Sequence, residues 1–150
     1  MGKTDSGALT SLMSDFENRL KRYLPFEMES IPEIRLKGKK NPQRQKQEEA
    51  AALLGKIKPT DTVWLLDEKG REFTSRQFAE HLQKSMNAGP KRLVLIIGGA
   101  YGHGDDLKAR ANGMVSLSRM TFNHQVVRLL ALEQLYRAFS ILKGDPYHND

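Results

Sequence analysis

Five consecutive aliphatic residues, Leu93-Val94-Leu95-Ile96-Ile97, run straight into Gly98-Gly99-Ala100-Tyr101-Gly102-His103-Gly104. An unbroken aliphatic run of this length predicts a strand buried on both faces, as in a parallel sheet. Parallel sheets receive ligands at the carboxyl ends of their strands, where small residues let a ligand approach the backbone. Four glycines in seven residues exceed what one tight turn needs, which favours a ligand loop over a turn that merely requires positive φ. The spacing is not Gly-x-Gly-x-x-Gly in any register, so the dinucleotide fingerprint is absent. Asp105 and Asp106 follow, where a helix N-terminus favours carboxylates.

Around this strand, apolar runs alternate with helical patterns, the signature of an α/β domain, and 150 residues fit one domain, 1–150. A first helix is expected over Ser6–Leu24, with Leu9, Leu12, Met13, Phe16, Leu20 and Tyr23 at helical spacing and Pro25 ending it. Phe26–Ile31 alternates apolar and acidic residues and reads as a strand closed by Pro32. A second helix is expected from near Gln43 to Leu54. Val63–Leu66 reads as a short buried strand, with a turn at Asp67-Glu68-Lys69-Gly70. Thr74 and Gln77 form a capping box for a helix through Leu82 to about Met86.

Charge narrows the partners. Lys and Arg total 24 against 18 for Asp and Glu, a net charge of +6, which favours a polyanionic partner. Arg35, Lys37, Lys39, Lys40, Arg44 and Lys46 form a stretch without an acid. Such a stretch is either a solvated loop or a phosphate contact with marked salt dependence. The chain has no cysteine, which excludes a disulfide scaffold, a cysteine nucleophile and the usual structural zinc sites. His81, His103, His124 and His148 stand at neither HxH nor HExxH spacing, so no metal is expected. Gly2-Lys3-Thr4 lacks the strand and the upstream glycine of a phosphate-binding loop. No apolar stretch is long enough to cross a bilayer and no signal peptide opens the chain, so a soluble, cytoplasmic protein is expected.

The last helix, from about His124 to Leu142, is apolar around almost its whole circumference, with Arg128, Glu133 and Arg137 as polar exceptions. A helix packed on most sides suggests a partner chain, and a homodimer is expected. Glu133 and Arg137 stand four apart: they either pair along the helix, or Arg137 points into a pocket or across a subunit interface. His103 faces either ligand or solvent, and His124 is expected to cap the last helix. Composition alone would leave the tail Tyr147-His148 frayed and inert.

Four segments in fixed order resemble a known family: Leu95-Ile96-Ile97-Gly98-Gly99-Ala100-Tyr101-Gly102, then Ser116 to His124, then Glu133-Gln134-Leu135-Tyr136-Arg137-Ala138, and finally Pro146-Tyr147-His148. Together they resemble the SPOUT-class ribosomal RNA large-subunit methyltransferase H family over nearly the whole chain. The resemblance implies an α/β fold with a C-terminal trefoil knot, a rare exception to ordinary topology, and a homodimer. It implies S-adenosylmethionine as cofactor and N3 of a pseudouridine in 23S rRNA, within the ribosome, as target. Carried over residue by residue, the cofactor pocket takes Leu66 after the Val63 strand, Gly98, and Leu117, Ser118, Arg119, Met120, Thr121 and Phe122. His124, Arg137, Tyr147 and His148 match positions near the transferred methyl and the target base. Arg137 is the candidate to stabilise the anion left when N3 loses its proton, and His124 or Tyr147 the candidate relay. In a different class stands a non-catalytic RNA- or ribosome-binding module that retains the fold. The family carries an apolar strand before Gly-Lys-Thr where this chain has only Met1, so the first strand is expected to be missing.

Overall fold

The computed structural model describes residues 7–32, 34 and 41–149. The order of elements is α1 (Gly7–Leu20), α2 (Pro42–Leu54), β1 (Asp61–Glu72), α3 (Ser75–Asn87), β2 (Arg92–Ile97), α4 (Asp105–Arg110), β3 (Gly113–Ser116) and α5 (Val126–Lys143). They gather into two compact units. One holds Ser30–Arg71 and Pro90–Met120; the other holds α1 through Glu29, then Glu72–Gly89, and the chain from Thr121 onward. The expected first-strand gap at Gly2-Lys3-Thr4, and Arg35, Lys37, Lys39 and Lys40, lie outside the described residues.

In the first unit β1 is the central strand of a β2-β1-β3 sheet. It pairs with β2 in parallel from Asp61↔Arg92 to Leu66↔Ile97, as an aliphatic strand joined by a crossover helix should. Val63 and Leu65 point to one face and join Ala50, Ile96 and Leu107 in the core, so α2 and α4 cover that side. Asn41 caps α2, its Oδ1 accepting the Arg44 amide hydrogen at 3.0 Å, and Pro42 takes the first helical position. The helix therefore starts one residue before the expected Gln43. Asn112 ties the end of α4 to β1, donating its amide to Val63 O at 2.7 Å and accepting from Val63 N at 2.8 Å.

In the second unit α5 packs against α1 and α3. α3 begins at the Thr74–Gln77 capping box, with both reciprocal bonds formed. No residue of α5 between Val127 and Leu142 is fully exposed. Gly144 closes α5 in the left-handed conformation (φ 73°), and the amide of Asp145 reaches back to Ser140 O at 2.9 Å. This reversal turns the tail back along the helix it has just left.

Several expectations are corrected. Phe26–Ile31 forms no strand: Phe26 and Met28 are half-buried and Glu27 and Glu29 exposed, yet no ladder partner lies beside them among the described residues. Alternation reports one-sided burial; a strand also needs a neighbour. Asp67–Gly70 is not a turn but the continuation of β1 to Glu72. Gly70 lets β3 come close, since a Cβ there would lie 2.6 Å from the Val115 carbonyl carbon. β2 is half-buried apart from Ile96, because among the described strands it is an edge, whereas Val63–Leu66 of β1 is buried throughout. His124 does not cap α5: it is exposed, Gln125 takes the cap position without a side-chain bond, and the Asn123 carbonyl accepts the Val127 amide. α1 is helical only to Leu20, with turns to Leu24.

Candidate active site

Each unit carries one set of the residues singled out by the sequence. In the first unit, Leu66 is the last residue of β1 in register with β2, opposite Ile97, and Gly98 comes next along β2. Leu66 therefore lies inside a strand, not in a loop following one, because β1 runs on beside β3. His103 folds back beneath this point. Its Nε2 lies 2.7 Å from Leu66 O; a carbonyl only accepts, so Nε2 carries the hydrogen. The ring lies against Gly98, where a Cβ would sit 3.1 Å from Cε1 and 3.3 Å from Nδ1. His103 is 4% exposed and its Nδ1 has no hydrogen-bond partner. Burial pulls its pKa below the ordinary 6.5, outweighing the opposite pull of the Leu66 bond and of Asp67. The imidazole is thus neutral and faces neither solvent nor an open cavity.

Packing explains the glycines too. Gly102 has φ +77°, and Cβ atoms at Gly99 and Gly104 would lie 2.7 Å from the buried Glu49 carboxylate and 2.8 Å from Lys46 O. The sign of a ligand site is therefore less the glycine count than the place of Gly98, where the parallel β1–β2 pairing ends. After β3, the Leu117–Met120 segment is held by its own serines: Ser116 Oγ donates to Ser118 O at 3.0 Å, and Ser118 Oγ accepts the Met120 amide at 3.0 Å. Leu117 and Ser118 are half-buried, Arg119 is exposed and Met120 is 74% exposed. Thr121 and Phe122 belong with the second unit and are also exposed.

In the second unit the reversed tail brings Tyr147 and His148 onto α5. The Tyr147 ring meets Tyr136 edge-on at 4.7 Å, and the Arg137 guanidinium carbon lies 4.8 Å from the Tyr147 ring centre. Glu133 Oε1 accepts from Arg137 Nε at 3.0 Å, from Arg137 Nη2, and from the Tyr147 hydroxyl at 3.2 Å. Arg137 Nη1 donates to His148 Nδ1 at 3.2 Å. Glu133 keeps the Arg137 guanidinium charged, raising its pKa. Burial, and then Glu133, raise the pKa of Tyr147, so its hydroxyl keeps its proton at neutral pH. A cavity of about 420 Å³ opens beside Tyr147, with Arg19, Arg22, Tyr23, Tyr136 and Asp145 on its walls.

Arg137, Tyr147 and His148 are thus brought together, while His124 has no hydrogen bond to the cluster. Glu133 and Arg137 pair along the helix, and the pair receives the tail. The central part played by Glu133 is invisible in its i, i+4 spacing. Gly144 directly after the Lys143 end of an apolar helix was the signal that the tail would turn back.

Residues 1–148 match a family model described as "Predicted SPOUT methyltransferase". The chain belongs to the SPOUT methyltransferase family. Among curated proteins, the "Ribosomal RNA large subunit methyltransferase H" of Parabacteroides distasonis is 45% identical over 150 residues, covering 100% of this chain and 96% of that protein. That of Flavobacterium psychrophilum is 48% identical over 149 residues, covering 99% and 95%. That of Bacteroides thetaiotaomicron is 40% identical over 150 residues, covering 100% and 96%.

As a SPOUT methyltransferase the chain is an enzyme that uses S-adenosylmethionine. The first unit suits that cofactor. Gly98 has no side chain of its own, Leu66 and Leu117 are apolar, and the neutral His103 adds no positive charge beside a sulfonium. Among the described residues no three His, Asp or Glu side chains gather as metal ligands, and no helix is long and apolar enough to cross a membrane.

Proposed function

We propose that this chain methylates N3 of a pseudouridine in 23S rRNA of the large ribosomal subunit, on assembled ribosomes, as a cytoplasmic homodimer. The observation that supports this most is the Arg137–Glu133–Tyr147–His148 cluster, a charged and protonated donor set beside an aromatic cavity, in a chain whose relatives are named for rRNA methylation. On this reading residues 1–150 act as one functional domain, and the C-terminal part forms a trefoil knot.

When bound, S-adenosylmethionine supplies an electrophilic methyl group on a sulfonium. Leu66, Gly98 and the Leu117–Phe122 segment would hold it, chiefly through backbone groups. Proton loss from the target nitrogen runs ahead of N–methyl bond formation, in which the methyl's bond to sulfur breaks to leave a neutral thioether, so negative charge develops on the imide. Arg137, fixed by Glu133 at Nε and Nη2, stabilises that charge with the guanidinium edge that carries Nη1. Tyr147 serves as a hydroxyl donor rather than a base, because its proton is held. His148 Nδ1 is engaged by Arg137, which leaves His124 as the imidazole to take the proton. Flat walls of Tyr23 and Tyr136 with Arg19 and Arg22 above Tyr147 offer room for a base and its phosphate.

The test is methyl transfer to ribosomes lacking the modification, followed by nucleoside mass spectrometry of the 23S rRNA. One N3-methylpseudouridine per 23S rRNA is expected. Methylation of a different base or atom, or none by protein that binds S-adenosylhomocysteine saturably, would overturn the target assignment. Sedimentation analysis giving a monomer at working concentration would remove the homodimer.

A further inference from the structure

We propose that His103 is a positioning residue for the cofactor pocket, holding the Leu66 carbonyl and the Gly98 backbone in the arrangement that receives S-adenosylmethionine. The inference rests on the assignment of Leu66 and Gly98 to that pocket.

Three observations converge on His103. Its Nε2–H donates to Leu66 O at 2.7 Å, across 37 residues of sequence. Its ring lies against Gly98 closely enough that a side chain there would press on Cε1 and Nδ1. Its Nδ1 is buried without a partner. A buried polar atom left unsatisfied is costly, and an aliphatic side chain would fill the same space without that penalty. What the imidazole adds is the bond to Leu66, which ties the end of the β1–β2 pairing to the loop that follows β2.

Nδ1 is too enclosed to touch a ligand directly, so the effect passes through Leu66 and Gly98. Burial keeps the ring neutral despite the charged groups around it. Asp67 on β1 favours the imidazolium and Lys108 on α4 opposes it, while Glu49 on α2 lies against Gly99 with its Oε1 taken by Gln45 Nε2 at 2.9 Å. Protonation would create a second N–H with no acceptor in reach.

The test titrates S-adenosylhomocysteine into the full chain and into His103→Gln, His103→Leu and Gly98→Ala. Gln can still donate to Leu66 O and should bind within about threefold of the parent. Leu fills the space but cannot donate, and should bind about tenfold more weakly, the worth of one lost hydrogen bond, with unchanged circular dichroism. Nitrogen-15 NMR of the parent supplies a readout independent of any variant. The His103 imidazole should show the neutral Nε2–H form at pH about 7 and shift when the ligand saturates. Leu binding as tightly as the parent, or a His103 signal unmoved at saturation, overturns the proposal. If Gly98→Ala also leaves a saturable affinity untouched, the pocket assignment itself is wrong and the proposal falls with it; if only Gly98→Ala weakens binding, His103 alone is misassigned.

Discussion

Arg137 and Tyr147 share one acceptor, Glu133 Oε1, while the Arg137 guanidinium carbon lies 4.8 Å from the Tyr147 ring centre. The two are therefore fixed relative to each other by a hydrogen-bonding partner and by ring contact, although ten residues and a helix terminus separate them. Removing either side chain should disturb the other, with different consequences for stability and for rate.

Arg137→Ala is expected to lower the transfer rate on ribosomes by about 10²–10³, the cost of losing one preorganised donor to a developing anion, while S-adenosylhomocysteine affinity stays the same. Arg137→Lys should recover little, since an ammonium cannot reproduce the grip of Nε and Nη2 on one carboxylate. Single-turnover kinetics checks both; full rate in Arg137→Ala removes the anion-stabilising role.

Tyr147→Phe keeps the contacts with Tyr136 and Arg137 but loses the hydroxyl bond to Glu133, and should cost about 1 kcal/mol or less in urea unfolding. If the hydroxyl donates during transfer, the rate should nevertheless fall by about tenfold or more. A Phe variant at full rate beside an inactive Ala variant would reduce Tyr147 to a packing role.

Gly70→Ala would place a Cβ 2.6 Å from the Val115 backbone, and backbone cannot swing aside as a side chain can. Such overpacking costs about 1–3 kcal/mol. Because β3 leads directly into Leu117–Met120, the same variant should weaken S-adenosylhomocysteine binding. Calorimetry alongside urea melts tests this, and unchanged affinity would separate the β1–β3 contact from the pocket.

His103 should also leave a mark on acid stability. Its pKa is lowered by burial in the folded chain and returns to 6.5 on unfolding, so the unfolded chain binds the proton more readily. Stability from this group is complete above the unfolded value and is lost as pH falls below it. The difference in unfolding free energy between the parent and His103→Gln should be flat from about pH 7 to 8 and shrink below about pH 6.5. A difference independent of pH would contradict a buried, neutral His103.

A chain of net charge +6 acting on rRNA should lose affinity steeply between about 50 and 200 mM salt, because each counterion released at a phosphate contact gains less entropy in more concentrated salt. A flat response of transfer rate at subsaturating ribosome would exclude the basic stretch that includes Arg44 and Lys46 as an rRNA contact.

What was legible in the sequence was local or periodic. The Thr74–Gln77 box starts α3 because both partners lie within one turn. The aliphatic run Leu93–Ile97 forms β2, which pairs in parallel with β1 as such a run predicts. The family resemblance singled out Leu66, Gly98, Arg137, Tyr147 and His148 as candidates without any geometry. Tertiary structure alone decided whatever depends on a distant neighbour. Phe26–Ile31 has the pattern of a strand and lacks the ladder; Asp67–Gly70 has the composition of a turn and stays extended because β3 lies beside it. His103 is neutral because it is buried, and its burial is tolerated because Leu66, 37 residues away, accepts from its Nε2–H. The tail is ordered because Gly144 turns it onto Glu133 and Arg137. Hydrophobic spacing and capping are written in consecutive residues, whereas hydrogen-bond partners and close backbone approaches exist only once the chain has folded back on itself.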